Sequence, residues 1–420
     1  MGNTFKLITI KKHNNRLDFD YEIKGGWQKY FELSNKLFIE YGCNVESVPD
    51  SVAVIPLICN ILPVVWLCDA ELIIEELDRD FYTNLGGIKK GYEDMYPMLD
   101  FSGKLTVSNV VDNQKPDTVS CSSMLFSGGV DAYTTLLRHI KEKPYLISLW
   151  GADVKLSDTK GWEKVNSHIQ SVAEKYRLPY IYVKTNFREV LNDGTLGLLV
   201  KKSGDGWWHG FQHGIALISH VAPIAYESGV KTTYIASSFP RRMKGRYTCA
   251  SDPTIDNYVC FCGCRTVHDG YELDRQEKVR YLVSQKQRGN PIKLRVCWEA
   301  PGGGNCCACE KCYRTALEII SEGENPNDFG FAWGEKNVEQ CRKDIKYKIR
   351  MSQFNWDQYY PSIQRMMKSN AENIPDIESY GWLQEIDFSR VNNSLMKALR
   401  YSILVRGIRK LIRLTREIRK

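Results

Sequence analysis

Beyond residue 118 the apolar positions alternate between short unbroken runs and longer stretches with a three-to-four-residue recurrence. The runs Ser123–Phe126, Pro144–Trp150, Tyr180–Val183 and Thr232–Ala236 predict buried strands. Between them, Val130–Lys141, Trp162–Tyr176 and the long apolar segment Phe211–Glu227 predict helices. Strands separated by helices of this length imply βαβ units and a parallel sheet with helices on both faces. Farther on, Asp274–Gln287 reads as a helix, Lys293–Cys297 as a strand and Arg314–Ser321 as a helix, and the pattern is helical from about 335. Residues 1–118 mix apolar and acidic segments and end in the polar run Asp112-Asn113-Gln114-Lys115-Pro116-Asp117, a candidate boundary. The expected architecture is α/β. A doubly wound parallel sheet covers 119–330, after an N-terminal α+β domain (1–118) of unassigned role and before a helical extension (331–420).

Val52–Cys68 is the most apolar stretch and approaches the length of a short bilayer crossing. Pro56, Asn60 and Pro63 interrupt it and Asp69 follows directly, so a buried helix or turn is the expectation. The first residues, Met-Gly-Asn-Thr-Phe-Lys, offer no apolar core or cleavage site, which argues against a secretory signal. The 14 cysteines then favour metal ligands and buried thiols over disulfides, in a cytoplasmic protein. Net charge is +7, with nine basic residues and one acid between Lys397 and Lys420. A general nucleic-acid surface would spread such charge over a folded domain, which makes nucleic acid the less favoured partner.

Ser127-Gly128-Gly129-Val130-Asp131 falls between the first predicted strand and helix, where doubly wound sheets bind phosphates. Glycines let the backbone approach a ligand closely, and the first helical N–H groups attract anions. No Gly-Lys-Ser/Thr ending follows, which excludes the nucleotide loop of kinases and ATPases.

Cys297, Cys306, Cys309 and Cys312 have the spacing C-x8-C-x2-C-x2-C, suited to a closed tetrathiolate zinc site of structural type. Such a metal would pin the loop Ala300–Asn305, and Cys307 breaks the spacing as a bystander. Cys260, Cys262 and Cys264 alternate too tightly to chelate one ion without distortion and read as buried thiols.

Together these residues carry a resemblance. The loop resembles the SGGxDS signature of the PP-loop ATP pyrophosphatase superfamily, with Ala132 in place of the final Ser. Adding the four cysteines and the helix bearing Arg314, residues 119–325 resemble 7-cyano-7-deazaguanine synthase. The resemblance implies an adenine nucleotide alpha hydrolase-like (HUP) fold and an ATP-dependent ligase. Ser127, Gly128, Gly129, Val130, Asp131 and Ala132 would hold the phosphates, Asp131 with Mg²⁺, and Trp150 and Gly151 the adenine. Ser127 and Asp131 would be the catalytic pair. The synthase adenylates a carboxylate, then forms an amide and a nitrile. Related proteins with long extensions in bacterial defence and surface-polysaccharide contexts widen the acceptor to a small molecule, protein, sugar or tRNA. A zinc-stabilised scaffold without catalysis is the contrasting reading.

Arg241, Arg242, His268 and Asp269 are candidates for the substrate side, with a solvated loop and a plain turn as their ordinary explanations. His209 and His213 share a helix face without further evident ligands and read as pocket lining or core, as do Trp207 and Trp208. Near the end, Tyr401, Leu404, Ile408, Leu411 and Ile418 oppose Arg406, Arg409, Lys410, Arg413, Arg416 and Arg419. This basic amphipathic helix suits an anionic membrane face, hence a peripheral location, or a partner surface or tRNA phosphates, with a solvated helix end as its ordinary explanation.

Overall fold

A computed structural model describes residues 2–114, 121–297, 303–350 and 358–388, with the side chains of 347–350 excepted. The basic tail from Lys397 therefore lies outside the described residues. The chain divides into two compact units, residues 1–274 with 301–304, and residues 275–300 with 305–420.

The first unit is built on one ten-stranded sheet. Its first five strands are β1 (Thr4–His13), β2 (Arg16–Lys24), β3 (Phe38–Tyr41), β4 (Glu71–Asp78) and β5 (Lys104–Val111). Between β3 and β4 come helices α1 (Asp50–Ala53) and α2 (Ile55–Leu67), and α3 (Arg79–Met95) joins β4 to β5. β1 and β2 form a hairpin whose two-residue turn places Asn14 at φ 48°, a conformation Asn tolerates. The expected buried helix in the apolar stretch is α2, in which every residue from Ile55 to Trp66 is buried. Each such aliphatic side chain contributes on the order of 2 kcal/mol when removed from water, enough to commit this helix to the interior. Its one amide, Asn60, donates to the Phe187 carbonyl at 2.9 Å and accepts from Gln212 at 2.6 Å. Among the described residues no helix is long and apolar enough to cross a membrane.

The alternating half follows as β6 (Cys121–Leu125), α4 (Val130–Arg138), β7 (Tyr145–Trp150), α5 (Thr159–Tyr176) and β8 (Tyr180–Thr185). Then come α6 (Asp193–Leu199), α7 (His213–Ser219), α8 (Ala222–Ser228), β9 (Val230–Ala236), α9 (Pro253–Asp256) and β10 (Arg265–Asp269). The sheet order is β10-β9-β6-β7-β8-β3-β2-β1-β4-β5, mostly parallel, with antiparallel pairing only at β8–β3, β3–β2 and β2–β1. The N-terminal strands thus continue the alternating sheet through β3, where Glu40 opposes Lys184 and ion-pairs with it at 3.0 Å.

The single helix expected over Phe211–Glu227 is broken. Trp208–Gln212 forms a π-helical turn, α7 ends at Ser219, and α8 restarts with Pro223 in its first turn. Proline has no N–H to extend the preceding ladder, so the chain restarts there.

The second unit holds α10 (Arg275–Gln287), α11 (Glu310–Ser321), α12 (Glu335–Arg350) and α13 (Tyr360–Ser369). α11 is buried along almost its whole length. Gln276 of α10 bonds the Glu318 carbonyl at 3.2 Å and Ser321 Oγ at 3.0 Å on α11. Lys293–Cys297, expected as a strand, has no ladder. Its Leu294 N–H goes to the Phe329 carbonyl, and Val296 N–H to the Asn305 side chain.

Candidate functional site

The chain leaves β6 through α4 to β7 on one side, and comes back from β8 to β9 on the other. Right-handed crossovers running in opposite directions open a crevice above the carboxyl ends of β6 and β9. Ser127–Asp131 occupies that position. Phe126 N–H still bonds the Ile147 carbonyl at 2.8 Å, then Gly128 turns at φ 79°, where a side chain would strain the backbone. Gly129 is the N-cap of α4 with no side-chain cap, and the first helical bond runs from Tyr133 N–H to its carbonyl at 2.9 Å. The helix therefore presents the positive end of its dipole to the crevice. Ser127 is exposed there, whereas Ala132 is buried.

Trp150 and Gly151 close the carboxyl end of β7. The Trp150 indole lies parallel to Trp162 with centroids 5.5 Å apart, and its Nε1 donates to the Lys155 carbonyl at 3.1 Å. Gly151 has φ 109°, and a Cβ on it would overlap the Thr185 carbonyl oxygen.

Of the four substrate-side candidates, the structure separates two pairs. His268 and Asp269 are neighbours on β10, so their side chains point to opposite faces. His268 is buried and its Nδ1 lies 2.7 Å from Asp256, whose carboxylate also accepts from Ser251 Oγ at 2.8 Å. Burial pushes the Asp256 carboxyl up, and the bond to His268 offsets part of that. Asp269 instead accepts from Thr135 Oγ1 at 2.8 Å, contacts His139 Nε2 at 3.2 Å, and pairs with Arg138 at 3.3 Å. Burial alone would raise its carboxyl, but the bonds from His139 and Thr135 and the Arg138 charge outweigh it and hold it low. Its carboxylate is thereby committed to α4, the helix behind the phosphate loop. Arg241 and Arg242 are exposed on a 3₁₀ turn after β9, and Arg242 pairs with Asp274 at 2.5 Å.

In the second unit, Cys297, Cys306, Cys309 and Cys312 converge, with all four sulfurs within 4.8 Å of one another. Cys297 and Cys306 lie 3.4 Å apart, Cys297 and Cys309 3.6 Å, and Cys306 and Cys312 3.9 Å. Zinc–sulfur bonds of about 2.3 Å to tetrahedral corners require sulfurs roughly 3.8 Å apart, so these residues fit a zinc ion. Cys309 is the N-cap of α11 and Cys312 lies in its first turn, where the helix dipole favours thiolates. Asn305 fastens the knuckle by donating to the Leu294 and Gly330 carbonyls at 2.8 and 3.0 Å. Residues 298–302, which include the first half of the loop expected to be pinned, lie outside the described residues. Cys262 and Cys264 are buried, and burial pushes both thiols up.

One cluster joins His209 and His213, read from sequence as pocket lining or core, to Asp205 and Cys249, which the sequence reading did not select. His209 Nδ1 lies 2.9 Å from Asp205 Oδ1 at the π-helical turn, and His209 and His213 lower the Cys249 thiol against the opposing effect of its burial. Asp205 and Cys249 carry no motif of their own. The readable signal is His209-Gly210-Phe211-Gln212-His213-Gly214, a repeated His-Gly at one-turn spacing. No family model, curated protein or solved structure matches this chain.

Proposed function

We propose that this chain is an ATP-dependent ligase of the PP-loop type, which adenylates a substrate carboxylate, releases pyrophosphate and passes the acyl group to an amine. The observation that carries the reading is the Ser127–Asp131 loop at the topological switch point, with Gly128 at φ 79° and α4 starting uncapped behind it. The strand order β8-β7-β6-β9-β10 supports the finer assignment to an adenine nucleotide alpha hydrolase-like fold. In this reading Ser127 and the backbone N–H groups of 128–132 grip the outer phosphates and offset charge developing on the departing pyrophosphate. Mg²⁺ would neutralise phosphate oxygens, with Asp131 as its protein ligand. Adenine would lie at the carboxyl end of β7 beside Trp150, where Gly151 at φ 109° lets the backbone turn against the Thr185 carbonyl and offers backbone groups to the ring edge. Arg241, and Arg242 if it exchanged its pairing with Asp274, would meet an anionic acceptor. Zinc on the four cysteines is structural, since four thiolates leave no open position for chemistry.

The test is pyrophosphate release by the zinc-loaded full chain with magnesium and ATP. It is run beside 7-carboxy-7-deazaguanine, nucleotide sugars and tRNA. One acceptor class should release pyrophosphate, and Asp131→Asn should lower the rate by about a hundredfold. Absence of ATP binding by calorimetry, or an Asp131→Asn variant as active as the parent, would overturn the proposal.

A further inference from the structure

The loop that leaves β8 carries an arginine whose charge no described residue pairs. Asn186 ties this loop to the start of β3. Its Oδ1 accepts from the Phe38 N–H at 2.9 Å, and its amide donates to the Lys36 carbonyl at 2.8 Å. The Glu189 N–H closes the turn onto the Asn186 carbonyl at 2.7 Å, and the buried Phe187 ring packs edge-on against His220. With Asn60 on the Phe187 carbonyl, the backbone on both sides of Arg188 is fixed. Arg188 itself is half-buried. Its guanidinium lies over the Trp208 ring, 4.1 Å from the centroid, and Nη1 donates to the Ala152 carbonyl at 3.0 Å. Ala152 follows Gly151, so the arginine bridges the carboxyl ends of the neighbouring strands β7 and β8. Trp208 opens the π-helical turn of residues 208–212, a distortion frequent at functional sites. His213 lies edge-on to it at 5.0 Å, and Phe187 is tilted against it at 5.8 Å.

That one carbonyl leaves most of the five guanidinium donors unused, and among the described residues Arg188 has no carboxylate within ion-pair distance. The half-buried Arg16 and Arg275 and the buried Arg314 each pair with a carboxylate, at 2.8, 3.2 and 3.6 Å. Burying a cation without a counterion is costly. Here burial lowers the Arg188 guanidinium although Asp153 and Asp193 act on it from farther away. A bound anion offsets that cost and finds donors already in place, since the fixed loop and the indole leave little ordering for a ligand to impose. A single guanidinium with two acidic side chains in range matches a planar monoanion better than a phosphate dianion, which those acids repel. The carboxyl edge of the strands is also where open α/β sheets bind their ligands.

We propose that Arg188, braced on Trp208, holds a carboxylate at the carboxyl edge of β7 and β8 through the donors that Ala152 leaves unused. Naming this carboxylate as the acceptor's rests on the ligase reading. The binding of a carboxylate there does not, and it needs neither ATP nor magnesium.

The experiment uses the zinc-loaded full chain without ATP. Benzoate is the probe, with benzamide and phenyl phosphate as its neutral and dianionic counterparts at equal ionic strength. Phenylglyoxal adducts are followed at each arginine by peptide mass spectrometry. Saturating benzoate should slow modification of Arg188 at least fivefold and leave that of Arg177, exposed at the end of α5, unchanged. Benzamide should give no protection, and phenyl phosphate less than benzoate. By NMR titration, benzoate affinity should fall about tenfold in Arg188→Lys, which keeps the charge and loses the planar fork, and vanish in Arg188→Gln. Equal modification of Arg188 with and without benzoate would overturn the proposal, as would better protection by phenyl phosphate. So would a folded Arg188→Lys variant that binds benzoate as the parent does. Protection of Arg188 in a chain that releases no pyrophosphate with any acceptor would remove the ligase reading and leave the carboxylate site standing.

Discussion

Asp269 is the residue through which the last strand of the sheet holds the helix behind the phosphate loop. Its carboxyl lies below the usual range, so the stability it contributes is present above the unfolded value near 3.9 and is lost as pH falls through the folded value. His139 opposite is raised, so its share is complete below about 6.5 and is lost as pH rises through its folded value. The pair is therefore strongest between about pH 4 and 6.5. Asp269→Asn should cost about 1–3 kcal/mol in urea unfolding within that window, with a smaller cost near pH 3. An identical cost at every pH would contradict this account. His268 and Asp269 stand out in the sequence by residue type, but their partners do not. Asp256 lies on α9, and Thr135 is more than a hundred residues upstream on α4. The strand itself, Arg-Thr-Val-His-Asp, is too polar to read as one until β9 is beside it.

Among the elements, α11 and the knuckle before it are those that a metal held by the four cysteines would stabilise most directly. Removal of zinc would leave Cys309 and Cys312 crowded at a helix start with no cation among them. Chelation should therefore destabilise the second unit by on the order of 5 kcal/mol or more, read as a lower thermal midpoint and restored by added zinc. Elemental analysis should find one zinc per chain, retained in Cys307→Ser and lost in Cys312→Ser. Zinc-free protein with an unchanged midpoint would rule the structural role out. The four cysteines are legible because tetrahedral ligation leaves a spacing in the sequence. The expected strand before them is not there because its apolar alternation comes from packing alone. Asn305 takes the backbone groups of Leu294 and Val296 that a neighbouring strand would have used. A comparable local cause breaks Phe211–Glu227, where apolar periodicity runs on through Pro223 but the hydrogen-bond ladder does not.

At the scale of the first unit, the sheet joins residues that the sequence pattern separates at 118. β6 to β9 are legible because parallel strands buried on both faces leave unbroken apolar runs. β1 to β5 are harder to read, since strands such as Thr4–His13 interleave lysines with core residues. Their link to the rest is made by β3 on β8, far apart in the chain, and no local signal announces that pairing. The seam is also packed: Asn60 of α2 reaches Phe187 and Gln212, and Tyr92 of α3 donates to the Phe211 carbonyl at 2.8 Å. A chain lacking residues 1–118 would expose the β8 edge as unpaired N–H and carbonyl groups, together with apolar side chains that now face α2. Such a chain should aggregate or elute as large oligomers in size-exclusion chromatography, with depressed far-ultraviolet dichroism. A monomer of 119–420 with a cooperative thermal transition would instead mean that β6 to β10 hold together without the N-terminal half, and that the β3–β8 seam contributes little.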